Sequence, residues 1–519
     1  MKNAKLIFYI LIFVMMACDQ DVIKLEAPEA TPGESCGNVE AGTANFTKFI
    51  AVGNSFVAGF QAGALFTEGQ DNSLAAILNK QFECAGASAT FKQPTINSAL
   101  GYNIFISPNP TTGGIVLGRL LLQGTSPKPT PQISNNAALP NPAVNPGFLY
   151  SGSKSELNNF GIQAIVVGQA LIPATGAWAG AGVDPRFNPF YGRLAYPGTG
   201  TSTIIDDAAA AGGTIFLLWL GMDDFFLNAA FGGDGTKAPL TTAPAFQAQY
   251  SAAVASMLGS NPELKGVIVN FPNIFVMPHF TSVTWNALPL DATTAAGLTA
   301  SLANNYNAFL NGMVGAGVIT DTESAARKIV YAVGQNGILM DDETLTDLSP
   351  YMTGPYTGLL PYARTRQTKQ GDILPLSAGS VIGTTIGGDA TKVYGVSVPL
   401  PDQYVLIPIE SAAIETARQA FNVTVKAVAD ANPNRLAHAD ISKTMDEFIA
   451  HKIYVLNNVS ITPNINPPTG IYSEDGIHPN SRGYAFMSRT IIQAINDRFG
   501  ATINLTDISN YRATALPIP

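Results

Sequence analysis

The sequence predicts an α/β protein whose core is a parallel β-sheet with helices on both faces. Apolar runs of strand length alternate along the chain with longer runs of helical periodicity, as in successive β–α–β units. The strand-like runs are predominantly apolar, as expected for strands that are buried on both faces. Hydrophobic residues make up 46% of the chain, which is enough for a large core. In such a sheet the functional sites lie at the carboxyl ends of the strands.

The elements can be assigned in order along the chain. The predicted strands are residues 46–52, 213–220, 266–272 and 328–334. The predicted helices are residues 73–81, 411–430 and 481–499. In the last of these, Tyr484, Met487, Ile491 and Ile495 recur at helical spacing, and Gly500 stands where the helix is expected to end.

Composition limits the classes of partner. The formal net charge is −9 and the isoelectric point is near 5.0, with no basic run. A nucleic-acid partner is therefore not expected, because phosphate binding requires clustered Lys and Arg. The 49 glycines and 35 prolines indicate many ordered loops. Two loop-rich stretches, at about residues 85–150 and 335–405, are predicted to be insertions in one large domain.

The first 17 residues have the features of an export signal: two lysines precede an apolar run that is too short to span a membrane comfortably. Cys18 directly follows the small residue Ala17, and this junction resembles the cleavage site of bacterial lipoproteins. The resemblance implies an exported protein that is anchored to the bacterial outer membrane by a lipid on Cys18. An ordinary secretory signal with an incidental cysteine is the alternative. Residues 18–43 are predicted to be a tether.

Two cysteines remain after Cys18. In an exported protein Cys36 and Cys84 can form one disulfide, although two free thiols are the alternative. Neither has histidine neighbours at the spacing of metal ligands, so a zinc site is not expected.

Two short motifs near opposite ends of the chain suggest catalysis. Asp475 stands three residues before His478, a spacing at which a carboxylate can orient one nitrogen of the imidazole ring. The other ring nitrogen then needs a hydroxyl, and the best candidate is Ser55, where the first predicted strand breaks at Gly-Asn-Ser. Each motif alone is a common turn. Together they predict a serine nucleophile with its general base.

These motifs resemble those of the SGNH (GDSL-type) hydrolases. Gly53-Asn54-Ser55 looks like the Gly-Asp-Ser of that family with Asn in place of Asp, and Asp475 and His478 match its closing Asp-x-x-His block. The resemblance implies a hydrolase domain over residues 44–519. It also implies the three-layer α/β/α sandwich of the family, with a mostly parallel flavodoxin-like sheet. Ser55, His478 and Asp475 become the expected catalytic residues.

The resemblance also implies an oxyanion hole. Its donors are the N–H of Ser55, a backbone N–H near residues 157–164, and a side chain that follows the second predicted strand. One register places Ala164 at the second donor and a shifted register places Gly161 there. Alanine at this place is tolerated only where φ is negative. The third donor, Asn in the family, is Asp223 here, and only a protonated carboxyl could donate.

A carboxyl beside Asp223, that of Asp224, favours such protonation. Helix N-capping is the alternative role for both residues. His279 follows the third predicted strand and is expected to pack or cap, with substrate contact as the alternative. His438 and His451 are expected to be structural.

The chemistry implied is the hydrolysis of a carboxylic ester through an acyl-enzyme, as in a carboxylesterase or lipase. The substrate would be a small-molecule, lipid or glycan ester, and no metal or organic cofactor is expected. Two alternatives stay open. One is a glycan O-deacetylase on the same fold. The other is a catalytically impaired surface lipoprotein that binds lipid or glycan, which the departures at Asp223 and Ala164 motivate.

Overall fold

A five-stranded parallel sheet is the central element of the protein. The computed structural model describes residues 36–103, 117–123, 128–133, 149–181, 183–195 and 201–515. Cys18, the predicted export signal and parts of both the tether and the first insertion lie outside the described residues. Residues Val39–Pro519 form one compact unit that contains every element named below. Cys36 and Cys84 are disulfide-bonded, so the alternative of two free thiols is wrong.

The strands fall into the central sheet and five small two-stranded sheets. In chain order they are β1 (Phe49–Gly53), β2 (Leu117–Gln123), β3 (Lys128–Ile133), β4 (Asn159–Gly161), β5 (Ile215–Trp219), β6 (Lys265–Val269), β7 (Leu288–Leu290), β8 (Gly334–Asn336), β9 (Leu339–Asp341), β10 (Thr365–Gln367), β11 (Thr385–Ile386), β12 (Asp389–Val393), β13 (Leu436–Ala439), β14 (Tyr454–Leu456) and β15 (Val459–Ile461).

The order of strands in the central sheet is β13-β6-β5-β1-β4, and all four pairings are parallel. Numbered within the sheet alone, the order is 2-1-3-4-5, with the chain reversing its direction of growth between β4 and β5. Every residue of β1 and β5 is buried, which explains why these two strands are apolar throughout. The predicted α/β class with a parallel sheet is confirmed, and so are three of the four predicted strands.

The fourth predicted strand, at residues 328–334, is wrong. Ile329 and Tyr331 are buried, whereas Val330 is 65% exposed and Val333 is 70% exposed. The segment is therefore extended with one face in solvent, and only its last residue, Gly334, belongs to a strand, the antiparallel β8. The place in the sheet is taken by β13, a short run that contains His438.

The helices lie between the strands and along the second half of the chain. In chain order they are α1 (Ser55–Ala58), α2 (Thr67–Asp71), α3 (Leu74–Phe82), α4 (Pro189–Ala195), α5 (Ile204–Ala210), α6 (Asp223–Ala230), α7 (Ala243–Gly259), α8 (Pro278–Thr281), α9 (Ala292–Leu298), α10 (Asn304–Gly315), α11 (Asp321–Arg327), α12 (Pro408–Asp430), α13 (Ile441–His451) and α14 (Ser481–Phe499). The predicted helices correspond to α3, α12 and α14.

Two sets of helices pack on the sheet. Helix α14 contacts β13, β6, α3 and α13, while α12 contacts β13, β6, α6 and α7. Helix α14 begins after Asn480, whose side chain accepts from the N–H of Gly483, and ends at Gly500 with φ +67°. This helix fixes the end of the loop that carries His478. Among the described residues, no helix is both long enough and apolar enough to cross a membrane.

A second hydrophobic core lies outside the sheet. Its buried residues run from Leu288 to Ile407 and include Leu339, Met340 and Tyr306. The predicted insertion at 335–405 falls within this second core. The first predicted insertion, at 85–150, contains the β2–β3 hairpin, and its remaining residues are partly outside the described chain.

Candidate active site

Ser55 lies at the carboxyl end of β1, the strand that pairs with both β4 and β5. Glycine is required at position 53, the last residue of β1, because a Cβ there would come within 2.6 Å of the Trp219 carbonyl oxygen. Asn54 then caps the short helix α1, since its side chain accepts from the N–H of Phe56 at 3.1 Å. Ser55 is thereby the first residue of α1, and its side chain is only 5% exposed.

The loop that precedes α14 carries Asp475 and His478. The Ser473 side chain connects this loop to the segment that follows α1. Its Oγ lies 2.9 Å from the His478 carbonyl oxygen and accepts from the N–H of Ala62 at 2.8 Å. Gly476 has φ +72° and leaves no room for a side chain, since a Cβ would lie 2.7 Å from the backbone nitrogen of His279.

The three predicted catalytic residues form a hydrogen-bonded chain. His478 Nε2 lies 2.8 Å from Ser55 Oγ, and His478 Nδ1 lies 2.8 Å from Asp475 Oδ2. A carboxylate can only accept, so the proton of the neutral ring sits on Nδ1 and Nε2 is free to accept from the serine hydroxyl. All three side chains are buried. Although Ser55 and His478 are 423 positions apart, the fold brings their side chains into contact.

The surroundings of Asp475 favour its ionised form. Burial alone would raise the pKa of this carboxyl, but the His478 ring and the N–H groups of Ile477 and His478 lower the pKa below its ordinary value. The Gly63 N–H adds a further hydrogen bond at 2.7 Å to Oδ2, the oxygen that faces the imidazole. Asp475 is therefore a fixed anion that orients His478.

Aromatic side chains enclose the imidazole. The ring of His478 lies 5.2 Å from that of Phe56 and 4.8 Å from that of Phe60, measured between centroids. Tyr484 of α14 donates its hydroxyl proton to the Phe60 carbonyl oxygen at 2.6 Å. These contacts limit the movement of the ring and exclude water from around the Ser55–His478 hydrogen bond.

His279 supports the same loop from the opposite direction. Its backbone N–H donates to the Gly476 carbonyl oxygen at 3.0 Å, and its Nδ1 lies 3.2 Å from the Asp475 carbonyl oxygen. Burial lowers the pKa of this histidine to about 4, so the ring is neutral near pH 7. Among the described residues its buried Nε2 has no hydrogen-bond partner. The sequence placed His279 after a strand but gave no signal of its contact with Asp475.

The structure distinguishes the two predicted oxyanion donors, Gly161 at the end of β4 and Ala164 after it. The N–H of Gly161 donates to Asn159 Oδ1 at 2.9 Å, so it is not available to a substrate, and this alternative is wrong. A glycine is needed there because a Cβ would lie 2.3 Å from the Ala58 nitrogen. The N–H groups of Ala164 and Ser55 donate no hydrogen bond to any described residue. Ala164 has φ +52°, so the expectation that alanine is tolerated here only with a negative φ is wrong, and the residue adopts a conformation that favours glycine.

Asp223 and Asp224 open α6, just beyond the end of β5. Neither is the N-cap, which is Met222, so the capping alternative is wrong. Both carboxyls instead accept hydrogen bonds from backbone N–H groups of the segment after β4. Asp223 Oδ2 accepts from Ile165 at 3.2 Å, and Asp224 Oδ2 accepts from Val167 at 2.9 Å.

The same two carboxyls are almost completely buried. Burial raises the pKa of Asp223 to about 7, with the hydrogen bond from Ile165 opposing and the charge of Asp224 adding to the increase. Burial likewise raises the pKa of Asp224 to about 7, while the bonds from Val167 and Thr241 oppose it. Near neutral pH each carboxyl therefore exchanges readily between its charged and neutral forms.

A small cavity lies beside this region. Its lining includes Ala58, Gln70, Gly161, Gln163 and Arg193, and solvent can occupy about 10 Å³ of it, which is room for one water. The side-chain amide of Gln163 is buried and, within the described part of the chain, has no hydrogen-bond partner at either atom. The cavity is therefore suited to a single bridging water rather than to an acyl chain.

A separate cluster of carboxyls lies around the start of α12. Oxygens of Glu343, Asp402 and Glu410 are all within 4.8 Å of one another. Burial and mutual repulsion raise the pKa of both Asp402 and Glu410 to about 8. This cluster shares no residue with the Ser55–His478–Asp475 chain.

Comparison with known proteins adds no relative: no family model, no curated protein and no solved structure matches this chain. The functional argument therefore rests on the residues and their geometry.

Proposed function

We propose that the protein is a serine ester hydrolase of the SGNH type, in which Ser55 is the nucleophile, His478 the general base and Asp475 the residue that orients it. The observation that carries the proposal is the hydrogen-bonded chain from Ser55 Oγ through both ring nitrogens of His478 to Asp475 Oδ2. The order of strands 2-1-3-4-5 and the two sets of helices are compatible with the three-layer α/β/α sandwich of that family.

The proposed reaction has two halves. His478 Nε2 takes the proton of Ser55 Oγ as that oxygen attacks the ester carbonyl carbon, and the carbonyl oxygen becomes an oxyanion. The ester C–O bond then breaks, and the alcohol leaves with the proton from His478. Water attacks the acyl-enzyme with His478 again as the base, which releases the acid and restores Ser55. The N–H groups of Ser55 and Ala164, which have no acceptor among the described residues, are the proposed oxyanion donors.

The N-terminal features belong to the same proposal. A chain exported through residues 1–17 and lipidated at Cys18 would act at the bacterial outer membrane, on an ester that is a small molecule, a lipid or a glycan. A glycan O-deacetylase with the same triad is the second candidate.

The test is hydrolysis of p-nitrophenyl acetate, butyrate and palmitate by the wild type, Ser55→Ala and Ser301→Ala. Ser301 is exposed on the helical segment before α10 and serves as the matched control. We expect Ser55→Ala to lose at least about 10³-fold in kcat and Ser301→Ala to retain wild-type turnover. Equal background rates for the wild type and Ser55→Ala on every ester would contradict the proposal and favour a non-catalytic binding protein. Release of acetate from acetylated glycans, with no turnover of butyrate, would favour the deacetylase.

A further inference from the structure

Side chains bind several backbone polar groups of the segment after β4. Its carbonyl groups at Gln163 and Ala164 accept from the Asn188 side-chain amide at 2.9 and 3.3 Å. We call residues 163–167 the oxyanion loop. Its conformation is set from outside, because it forms no strand or helix of its own.

Three consecutive N–H groups of the oxyanion loop donate to side chains. Those of Ile165, Val166 and Val167 donate to Asp223, Gln169 and Asp224 respectively, at 3.2, 3.3 and 2.9 Å. The preceding N–H, that of Ala164, has no acceptor among the described residues. Side chains thus bind the three N–H groups that follow Ala164, and the Ala164 N–H that the proposed reaction needs has no acceptor among the described residues.

The free donor is on a residue in an unfavourable conformation. Ala164 has φ +52°, in the left-handed region that L side chains rarely adopt. This conformation is less populated for alanine than for glycine by a factor of about 5 to 30. A non-glycine residue stays there only where its surroundings hold it. The peptide group that joins Ala164 to Ile165 is held at both of its polar atoms, by Asp223 through the Ile165 N–H and by Asn188 through the Ala164 C=O.

We propose that Asp223 is a positioning residue of the candidate active site: its carboxyl binds the Ile165 N–H and so holds Ala164 in the conformation that leaves the Ala164 N–H free for the oxyanion. The inference rests on the proposed function and replaces the direct donor role predicted for Asp223. A carboxylate cannot donate and repels an oxyanion, but it is a strong acceptor for a backbone N–H. Asp224 anchors the far end of the loop through Val167 in the same manner.

The inference explains why the loop functions with alanine and aspartate at these two places. Glycine would reach the left-handed conformation without help, so an anchor is needed only because Ala164 is not glycine. Dependence on Asp223 should therefore decrease when Ala164 is replaced by glycine. A residue that donated directly to the oxyanion would be needed equally in both backgrounds.

The experiment is a double-mutant cycle of Asp223→Ala and Ala164→Gly, with p-nitrophenyl acetate as substrate and kcat and KM measured separately. In the alanine background we expect Asp223→Ala to lower kcat by about 10² or more with KM little changed. In the glycine background the loss of kcat should be smaller by about 5- to 30-fold, because glycine adopts the left-handed conformation more readily than alanine by that factor. Asp223→Asn, which retains an acceptor oxygen, should stay within about threefold of the wild type.

Equal losses in the two backgrounds, or an Asp223→Asn variant as impaired as Asp223→Ala, would overturn the positioning role. Amide hydrogen exchange of residues 164–167 provides a readout that does not depend on turnover, and we expect Asp223→Ala alone to accelerate it. Unchanged exchange would also overturn the inference. If Asp223→Ala fails to fold, Asp223→Ser, which is too short to reach Ile165, replaces it in the cycle.

The Ser55→Ala variant separates this inference from the proposed function. Turnover that Ser55→Ala does not remove would overturn the proposed function and the positioning role together. Turnover that Ser55→Ala removes, with equal losses for Asp223→Ala in both backgrounds, would overturn the positioning role alone.

Discussion

The Asp475 carboxylate shows how single residues set the properties of this site. Oδ1 accepts from the N–H groups of Ile477 and His478, each at 2.8 Å, and Oδ2 accepts from Gly63 and faces the imidazole. Every group around Oδ2 is therefore a donor. Because the pKa of Asp475 is lowered, its carboxylate stays charged at any pH above the ordinary titration range of an aspartate.

Asp475→Asn would keep the shape of the side chain but replace one acceptor oxygen with a donor nitrogen. The amide nitrogen would face the His478 ring and the Gly63 N–H, so the neutral ring would have to move its proton to Nε2 and could not accept from Ser55. We expect kcat to decrease by about 10⁴ with KM within a few-fold of the wild type. Steady-state kinetics on p-nitrophenyl acetate measure both. Wild-type kcat in this variant would contradict the assignment of Asp475.

A related prediction concerns His279, which contacts the backbone of Asp475 rather than His478. The neutral ring donates from Nδ1 to the Asp475 carbonyl oxygen, and an asparagine amide can occupy the same place. We expect His279→Leu to lower kcat about 10-fold through a displaced Asp475 loop, whereas His279→Asn stays near the wild type. Kinetics of the two variants, with circular dichroism to verify folding, test this. Equal activity of the leucine variant and the wild type would show that the contact is dispensable.

The motifs predicted a contact among three side chains that the structure shows, whereas the conformation of the segment after β4 was not predicted. Ser55, Asp475 and His478 could be predicted because their spacing and order carry information. The same reasoning predicted that Ala164 and Asp223 lie near the site, but it did not predict their bonds. The acceptor of the Ile165 N–H depends on φ at Ala164, and nothing in the local sequence encodes a positive φ at alanine.

At the scale of elements, close backbone approach determines how β4 and α1 fit together. Gly161, the last residue of β4, lies so near α1 that a Cβ would be 2.3 Å from the Ala58 nitrogen and 2.6 Å from the Val57 carbonyl carbon. Both neighbours are backbone atoms, which cannot rotate away. The packing of β4 on the helix that carries Ser55 therefore requires glycine.

Gly161→Ala should destabilise the protein by about 2 kcal/mol or more, because the strand or the helix must shift. Gly259→Ala is the matched control, since no atom lies within 4 Å of its would-be Cβ at the end of α7. That substitution should be neutral or slightly stabilising, by up to about 1 kcal/mol. Urea denaturation of both variants gives the comparison, and a loss as large for Gly259→Ala as for Gly161→Ala would contradict the steric argument.

Sequence patterns predicted elements well where both faces of a strand are buried. β1 and β5 contain only apolar residues and glycine, and β6 is apolar after Lys265, so these strands were recognised. The segment at 328–334 has similar composition, yet it lies against the second core with alternate residues exposed. Strand β13, Leu-Ala-His-Ala, escaped prediction because it is short and has no β-branched residue. Composition alone does not say against which core a run packs.

At the scale of the molecule, the order of strands assembles the site. β4, β1 and β5 are neighbours, so their carboxyl ends bring together the oxyanion loop, Ser55 and Asp223. Helix α14 then places His478 beside Ser55 from the other end of the chain. The alternation of elements predicted a parallel sheet, but the pairing order depends on crossovers of 40 residues and more that local patterns do not encode.

The carboxyl cluster of Glu343, Asp402 and Glu410 links stability to pH. Glu343 follows β9 in the second core and Glu410 lies in the first turn of α12, so folding brings together acidic groups that are apart in the unfolded chain. The pKa of Asp402 rises from 3.8 to about 8, mainly because of burial and then because of Glu343 and Glu410. The folded state thus binds more protons than the unfolded state between these values, and stability decreases as pH rises through that range.

Asp402→Asn should relieve this repulsion. Asp402 Oδ1 is buried and, among the described residues, meets no donor, so the substitution removes a charge without breaking a hydrogen bond at that atom. We expect the Tm of the variant to exceed that of the wild type by roughly 1–3 °C near pH 8.5, and the difference to vanish near pH 4, where the unfolded carboxyl also protonates. Glu263→Gln, which removes an exposed carboxylate outside the cluster, is the control for net charge. Thermal unfolding from pH 4 to 9 measures both, and an equal gain at every pH, or the same gain in Glu263→Gln, would show that the cluster is not the origin of the pH dependence.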